Sequence, residues 1–267
     1  MQTISFVIKY DGSHYHGWQR QNRVVGVQAV IEKALKRVLK QDITVEGSGR
    51  TDAGVHALGQ CASFKAHLPM PVENLRSAVN KILPNDVFVL KAHIVPDTFH
   101  ARFSAVAKTY TYKIYTLKER DPFMDRYCYH YPHSLDIEAI KRAMSAFIGT
   151  HDFRTFMASG SETVNTVRTV YAFSLELTGD TLAFTITGNG FLYNMVRIII
   201  GTLLHVGTGK LSPESIPEII NSQERSRARF TTPGHGLYLK RVFYSNQELK
   251  ESLLNNYKND GFLLTEE

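Results

Sequence analysis

The decapeptide GSGRTDAGVH, residues 47–56, places an arginine and an aspartate two positions apart among glycines and an alanine. In a strand this spacing directs both side chains to one face, and in a glycine-rich loop it lets a ligand approach the main chain. Asp52 has two interpretations on these residues alone. It caps a backbone N–H in a turn, or it acts as a nucleophile or general base, with Arg50 nearby to hold a phosphate or the carboxylate.

A second group of candidate residues lies in the segment KTYTYK, where Lys108 and Lys113 bracket Tyr110 and Tyr112. Aromatic residues interleaved with basic ones are what a site that stacks nucleobases needs. Aromatic residues are also common in the core faces of strands. The pattern therefore leaves a core role and a nucleic-acid role open for both tyrosines.

Arg197 lies in the most apolar stretch of the chain, FLYNMVRIIIGTLLHV, residues 191–206. The stretch is shorter than a membrane span, and we predict a buried helix. A buried guanidinium is costly unless it meets a carboxylate. Arg197 is thus either an interfacial arginine that lays its stem along apolar surface, or the partner of an active-site acid, which it keeps ionised by lowering the pKa of that acid.

Two further sets of basic residues have a regular spacing. One set alternates and would line an extended segment against phosphates, although a solvated loop fits equally well: Arg225, Arg227 and Arg229. The other forms one face of a predicted helix, which is usually only a solvated face: Lys33, Lys36, Arg37 and Lys40.

Histidines occur in two close pairs, His14 with His16 and His130 with His133. Neither pair is accompanied by a CxxC, an HExxH or a paired-carboxylate motif, so we predict no metal site. The glycine motifs that bind nucleotide phosphates and the GxSxG nucleophile elbow are also absent, so we expect no nucleotide cofactor.

The overall composition favours an anionic partner. The 267 residues include 31 Lys and Arg against 25 Asp and Glu, a net charge of +6, with a pI of about 9.2. Such a balance suits nucleic acid or an acidic surface. The two cysteines, Cys61 and Cys128, cannot form a disulfide framework, and the N-terminus lacks the apolar run of a signal peptide. We therefore expect an intracellular protein with reduced thiols.

Hydrophobic periodicity predicts strands and helices interleaved along the whole chain. Strands are predicted near residues 4–8, 43–49, 58–66, 87–95, 102–116 and 236–244, with a strand pair around 178–180. Helices are predicted at 27–39, 72–81, 135–148 and 191–206, with another opening at Ser212 and Pro213. This order indicates an α+β fold of two lobes with a boundary near residues 100–110. The polar stretch 246–267 is predicted to form a surface helix and a frayed end.

Several segments together resemble the tRNA pseudouridine synthase A family. GRTDAGVHA, residues 49–57, resembles the signature of that family. Further blocks resemble it in the same order, and together they span about residues 4–244: YDGSHYHGWQRQ (10–21), FHARFSAVAKTYTYKIY (99–115), HDFRTF (151–156), NGFLYNMVRIIIGTL (189–203) and GLYL (236–239).

The resemblance implies a role for five residues. Asp52 matches the catalytic aspartate, and Arg50 matches the arginine that helps displace the target base and fills its place. Tyr110 matches the tyrosine that stacks on the uracil. Arg197 matches the arginine paired with the catalytic aspartate, and Leu237 matches an apolar residue of the pocket wall.

One residue departs from the family pattern. Thr111 stands where many members carry a basic residue between the two tyrosines, which puts one RNA contact in doubt but leaves the chemistry untouched.

The resemblance also implies a function: isomerisation of uridine to pseudouridine in the anticodon stem-loop of tRNA, at positions 38, 39 and 40 in tRNA numbering, after the base is flipped out. It implies no cofactor, no metal, a cytoplasmic homodimer and tRNA lying across both subunits. The implied fold has two similar lobes, residues 1–104 and 105–245, each a mostly antiparallel sheet with helices on one face. The active-site cleft is expected between them, and residues 246–267 form a polar tail.

The sequence leaves the chemistry of Asp52 open. The carboxylate attacks C1′ of the ribose, attacks C6 of the base, or takes a proton from C2′ to give a glycal. The base that removes the C5 proton is also open, with Asp52 and Tyr110 as the candidates. Two rival functions remain to be tested: an RNA-binding protein without chemistry, and an N-glycosidase that releases free uracil.

Overall fold

The computed structural model describes residues 1–161, 163–256 and 261–263. The chain divides into two compact units. The first contains Met1–Val106 and Tyr238–Tyr244, and the second contains Ala107–Leu237 and Ser245–Glu267. Among the described residues, no helix is long and apolar enough to cross a membrane.

The described residues form strands and helices in alternation. The strands are β1 Gln2–Tyr10, β2 Glu46–Gly47, β3 His56–Ala66, β4 Val87–Val95, β5 Ala107–Tyr115, β6 Tyr129–His130, β7 Gly149–Asp152, β8 Val167–Thr178, β9 Thr181–Gly188, β10 Leu237–Phe243 and β11 Gly261–Leu263. The α-helices are α1 Val27–Leu39, α2 Val72–Asn80, α3 Ile137–Ser145, α4 Met195–Gly207, α5 Ile216–Ser222 and α6 Asn246–Asn256. The predicted α+β class is confirmed.

The sheet of the first unit is mostly antiparallel, in the order β10-β3-β1-β4. β1 pairs antiparallel with β3 and β4, β2 pairs antiparallel with β3, and β10 pairs parallel with β3. The apolar residues whose alternation predicts β1 point into the core, because Ile4, Phe6 and Ile8 are fully buried. The apolar face of α1 is buried as well, including Ile31 and Leu35.

One charged residue of α1 is buried. Glu32 is only 7% exposed. Its carboxylate accepts hydrogen bonds at 3.0 Å from the Val45 N–H, from Nε2 of Gln28 and from Nη1 of Arg20. A buried carboxylate needs such partners, and here they join the helix to the segment that leads into β2.

The sheet of the second unit is also mostly antiparallel, in the order β11-β8-β9-β5, with β6 beside β5 and β7 beside β8. The predicted strand 102–116 is shorter than expected. It begins at Ala107, because residues 100–104 form a hydrogen-bonded turn. The apolar helix predicted at 191–206 also begins later, at Met195, after Asn194 takes a left-handed φ of 59°.

The alternating arginines do not form an extended segment. Arg225–Arg227 is a 3-10 helix, so the extended interpretation is wrong for these residues. Arg225 donates to the carbonyl oxygens of Ala228 and Arg229, and Arg227 pairs with Glu218 at 2.9 Å. These local acceptors bend the segment, and burial lowers the pKa of Arg225.

The predicted division at residues 104 and 245 stays a prediction about domains. The compact units differ from it at residues 238–244, because β10 pairs with β3 through Tyr238 and Leu239. In the predicted tail, α6 is a helix and β11 pairs antiparallel with β8. Residues 257–260 and 264–267, part of the end predicted to fray, lie outside the described residues.

Candidate active site

The loop that carries Asp52 is held by main-chain contacts with the segment that follows β1. The Trp18 N–H donates to the Thr51 carbonyl at 3.0 Å, and the Gly54 N–H donates to the Tyr15 carbonyl at 3.2 Å. The Val55 N–H donates to the carbonyl of Asp52 at 3.2 Å. A turn therefore exists here, as one interpretation of Asp52 predicted, but this bond uses the main-chain oxygen rather than the carboxylate.

Two glycines of the same segment allow the main chains to approach so closely. A Cβ placed on Gly12 would lie 2.0 Å from the carbonyl oxygen of Val55. A Cβ on Gly17 would lie 2.3 Å from the carbonyl oxygen of Thr51, and Gly17 has a φ of +87°. Both distances are far below van der Waals contact, so only glycine fits these positions.

Buried side chains fix the entrance to the loop. The Tyr10 hydroxyl and Thr51 Oγ1 are 2.7 Å apart. Nε2 of Gln60 donates to the Gly49 carbonyl at 2.8 Å, while Ser48 Oγ donates to Oε1 of Gln60 at 2.6 Å. Burial raises the pKa of Tyr10 well above its ordinary value, so this anchor stays a neutral hydroxyl at physiological pH.

A buried histidine joins the two segments and was missed from the sequence. Nδ1 of His56 lies 3.0 Å from the Gly12 N–H nitrogen and 3.2 Å from Oδ1 of Asp11. Without a proton, Nδ1 accepts a hydrogen bond from the Gly12 N–H. When Nδ1 is protonated, it donates to Asp11 instead. The ring also stacks on Tyr238, with centroids 4.7 Å apart. The sequence could have indicated a role for His56, because Asp11, Gly12 and His56 all lie within the blocks that resemble the family.

This frame presents two candidate site residues of the first unit at the surface. Asp52 is partly exposed and Arg50 is exposed. A carboxylate two residues from an arginine, on a loop held by these contacts, suits attack on or proton removal from a bound substrate.

The two tyrosines of β5 have different environments, although they share one face of the strand. Tyr112 is fully buried, and its hydroxyl donates to the Pro233 carbonyl at 2.8 Å. Tyr112 is therefore a core residue. Tyr110 is 9% exposed and meets Phe191 edge to face, with ring centroids 5.2 Å apart. Phe191 thus gives Tyr110 an aromatic neighbour, in an environment of rings that suits the predicted stacking on a flat base.

Arg197 lies in the first turn of α4 rather than in the middle of a helix. Its Nε donates to the Thr232 carbonyl at 2.6 Å, and its Nη1 donates to Oδ1 of Asn194, also at 2.6 Å. The helix dipole disfavours a cation at a helix N-terminus, and these two acceptors offset that cost. They hold the planar guanidinium in one orientation while it stays partly exposed.

Two further residues singled out from the sequence, Leu237 and Thr111, also belong to the second unit. Leu237 is 6% exposed and begins β10, directly after the 3-10 helix Gly234–Gly236. Thr111 is buried, and its hydroxyl lies 3.0 Å from that of Thr185 on β9. A longer basic side chain at position 111 would have to leave this buried pair.

The second histidine pair, His130 with His133, is engaged in other contacts. His130 stacks on Tyr115, its Nε2 lies 2.8 Å from the Leu117 carbonyl oxygen, and His133 meets the ring of Tyr131. Within residues 1–161, 163–256 and 261–263, no three His, Cys, Asp or Glu side chains are grouped so as to hold a metal ion.

Comparison with known proteins identifies close relatives. A family model described as tRNA pseudouridine synthase matches residues 6–104 and 143–245. The chain is 47% identical over 244 residues to tRNA pseudouridine synthase A of Thermoanaerobacter sp. (strain X514), covering 91% of this chain and 100% of that protein. It is 48% identical over 241 residues to tRNA pseudouridine synthase A of Bacillus licheniformis, covering 90% and 98%.

A solved structure shows only a distant likeness. The archaeal box H/ACA sRNP Nop10-Cbf5 complex matches at 14% identity with a TM-score of 0.35, covering 84% of this chain and 59% of that chain. A TM-score this low supports no inference about function.

Proposed function

The chain belongs to the tRNA pseudouridine synthase A family, and on this premise we propose how it isomerises uridine to pseudouridine in tRNA. We propose that the target uridines are those at positions 38, 39 and 40 of the anticodon stem-loop. The net charge of +6 supports a polyanionic substrate. We further propose a cytoplasmic homodimer with tRNA lying across both subunits, as the resemblance implies.

The observation that carries the proposal is the position of Asp52. Its loop is fixed by main-chain hydrogen bonds to residues 15 and 18 and by glycines at 12 and 17, while the residue itself stays partly exposed. A rigid frame around one carboxylate is what a catalytic group requires, because small misplacements are costly in rate. An RNA-binding surface has no need of a fixed negative charge that repels phosphate.

The reaction begins with a flipped base. A uridine leaves the stem at a cost of a few kcal/mol, and Arg50 occupies the vacated place with its planar head, which both stacks and donates hydrogen bonds. Tyr110 packs against the face of the uracil, and Leu237 contributes to the apolar wall. Arg197 supplies the positive charge that keeps Asp52 ionised.

The isomerisation exchanges one bond for another without loss of atoms. The bond between N1 of uracil and C1′ of ribose breaks, the uracil rotates while held, and C5 bonds to C1′. The proton on C5 then leaves to solvent, and N1 gains a proton. Asp52 opens the sequence by attack at C1′, by attack at C6 or by removal of the C2′ proton, and all three routes need it as a carboxylate.

The test uses unmodified tRNA that carries tritium at C5 of uridine. Isomerisation expels this hydrogen into water, whereas simple binding and simple glycosidic cleavage retain it. We expect tritium release, with product at positions 38, 39 and 40. Free uracil without tritium release would favour an N-glycosidase. Bound tRNA with neither product would favour an RNA-binding protein without chemistry.

A further inference from the structure

Phe103 is an exposed aromatic residue that the proposed reaction does not use. It lies in the first unit, in the turn between β4 and β5, with 75% of its surface accessible. Exposing a phenylalanine ring to water forgoes most of the stabilisation that its burial would provide. Single exposed apolar side chains are common, so exposure alone does not indicate a binding site. The contacts that hold this ring in place are more specific.

The turn that carries Phe103 is closed by hydrogen bonds of its own. The His100 N–H donates to Ser104 Oγ at 3.0 Å, and the Ser104 N–H donates to the His100 carbonyl at 2.9 Å. Nδ1 of His100 also accepts from the Arg102 N–H at 3.1 Å. With these bonds the main chain on both sides of the phenylalanine has a defined path.

The same turn is attached to the core through Ala101, which is fully buried. The Ala101 N–H donates to Ser63 Oγ on β3 at 2.9 Å, and the Ala101 carbonyl accepts from the Tyr244 hydroxyl at 2.8 Å. Phe99, on the other side of His100, packs on the Tyr244 ring with centroids 4.8 Å apart. Phe103 thus projects from a turn that is anchored at its base.

Two groups that favour an anionic, aromatic partner flank the ring. The His100 ring centroid lies 4.4 Å from that of Phe103, and Cζ of Arg102 lies 5.4 Å from it. Arg102 is exposed, and Ser104 is partly exposed. One aromatic ring among polar and cationic neighbours is small for a protein interface, which needs a broad apolar centre, but it matches the area of one nucleobase.

We propose that Phe103 is a stacking site for an unpaired nucleobase of the tRNA substrate, with Arg102 beside it to contact a phosphate. This assignment rests on the proposed function, because it names a contact of the same substrate. The base must be unpaired, since bases inside an A-form helix are already stacked on their neighbours. Stacking of a base on an aromatic side chain is tolerant of sequence, so this contact does not require one particular base.

Fluorescence tests the contact directly, because the chain has a single tryptophan, Trp18, which is buried. Phe103→Trp introduces an exposed reporter that retains a stacking face. We expect its emission to be quenched when unmodified tRNA is added, while the emission of the wild type changes little. Absence of quenching at saturating tRNA, in a Phe103→Trp enzyme that still releases tritium, would overturn the proposal.

Affinity gives an independent test. We expect Phe103→Ala to raise the Kd for tRNA about tenfold, as loss of one stacked base should, while kcat at saturating tRNA stays within about twofold. Phe103→Tyr should restore the Kd. The matched control is Phe88→Ala, because Phe88 is 41% exposed in the same unit, with Nζ of Lys9 lying 5.5 Å from its ring centroid. Equal weakening by Phe88→Ala and Phe103→Ala would contradict a specific site.

Two further outcomes separate this proposal from its alternatives. A shift in sedimentation of Phe103→Ala without tRNA, with an unchanged Kd for tRNA, would assign the ring to contact with a second copy of the chain and overturn the proposal. Failure of the proposed function is distinct, because then the wild type itself would release no tritium. An active wild type with an unchanged Kd in Phe103→Ala refutes only the stacking site.

Discussion

The loop that carries Asp52 and the helix start that carries Arg197 differ in what fixes the functional side chain. Around Asp52 the path of the backbone is set by main-chain hydrogen bonds, which glycine at positions 12 and 17 makes possible, together with the side-chain contact between Tyr10 and Thr51. Around Arg197 the contacts start from the side chain itself, which donates to the Thr232 carbonyl and to Asn194. One arrangement positions a residue by shaping its backbone, and the other by binding its head group.

The difference has a consequence for substitutions. A loop shaped by its backbone tolerates no added side chain at the glycines that allow its close main-chain contacts. A head group held by hydrogen bonds responds in a graded way, because one partner can be altered while the others stay.

Gly17→Ala and Gly12→Ala should both abolish most tritium release. The new methyl group meets a carbonyl oxygen of the Asp52 loop at 2.3 Å or 2.0 Å, so the loop has to move. We expect a loss of at least about 100-fold in kcat, because a displacement of about 1 Å is enough for that. The free energy of unfolding should fall by about 1–3 kcal/mol. Tritium release and denaturant unfolding measure the two effects.

The control for this prediction is Gly179→Ala, at the turn between β8 and β9. Gly179 also has a left-handed φ, of +56°, but nothing lies within 4 Å of the position of its Cβ. It should lose stability through backbone strain while keeping its turnover. Wild-type turnover in Gly12→Ala and Gly17→Ala would show that the glycine contacts do not position Asp52.

Asn194→Asp should lower activity without lowering stability. The new carboxylate keeps the acceptor for Arg197 at 2.6 Å, and aspartate also tolerates the left-handed φ of 59°. A negative charge at a helix N-terminus is favourable, so the free energy of unfolding should stay level or rise by about 0.5 kcal/mol. Under the proposed pairing of Arg197 with Asp52, the new carboxylate would compete with Asp52 for the guanidinium, and we expect kcat to fall about tenfold or more.

Opposite signs for activity and stability distinguish this effect from simple damage to the fold. Asn194→Ala serves as the comparison, since it removes the acceptor and should lower stability and activity together. Unchanged kcat in Asn194→Asp would argue against Arg197 as the partner of Asp52.

Tyr112→Phe and Tyr110→Phe should differ in what they change. The first removes the buried hydrogen bond to Pro233 and should lower the free energy of unfolding by about 1 kcal/mol, with kcat within about twofold. The second keeps the ring that is proposed to stack on the uracil, and it should retain binding and most turnover. Tyr110→Leu, which removes the flat face, should reduce turnover about 10- to 100-fold. If Tyr110→Phe is as inactive as a variant that lacks Asp52, the hydroxyl takes part in removing the C5 proton.

The sequence predicts the elements well where one local rule decides the structure. Alternation gives β1 and β4, and the helical spacing of apolar residues gives α1. It fails where contacts distant in sequence decide. Glu32 reads as a surface residue, but the approach of Val45 turns it into a buried acceptor. Likewise, β5 begins later than predicted because the turn before it is bound through Ala101 to Ser63 and Tyr244, which are distant in the sequence.

The candidate site shows the same limit. The motif identifies Asp52 and Arg50, but it gives no sign that the loop depends on Gly12 and Gly17, about forty residues earlier. Such contacts join main chain to main chain, so they leave no side-chain pattern to detect. His56 was overlooked for a related reason, because its partners at Asp11 and Gly12 become neighbours only when β1 pairs with β3.

The central claim is that Asp52 performs chemistry rather than binding. The most direct measurement compares wild type with Asp52→Asn for tritium release from C5-labelled tRNA and for the Kd of the same tRNA. We expect release to fall at least about 1000-fold, while the Kd stays within about threefold, since affinity depends on phosphate contacts spread over many Lys and Arg residues. Substantial release by Asp52→Asn would contradict the claim. So would a loss of tRNA binding large enough to account for the lost release.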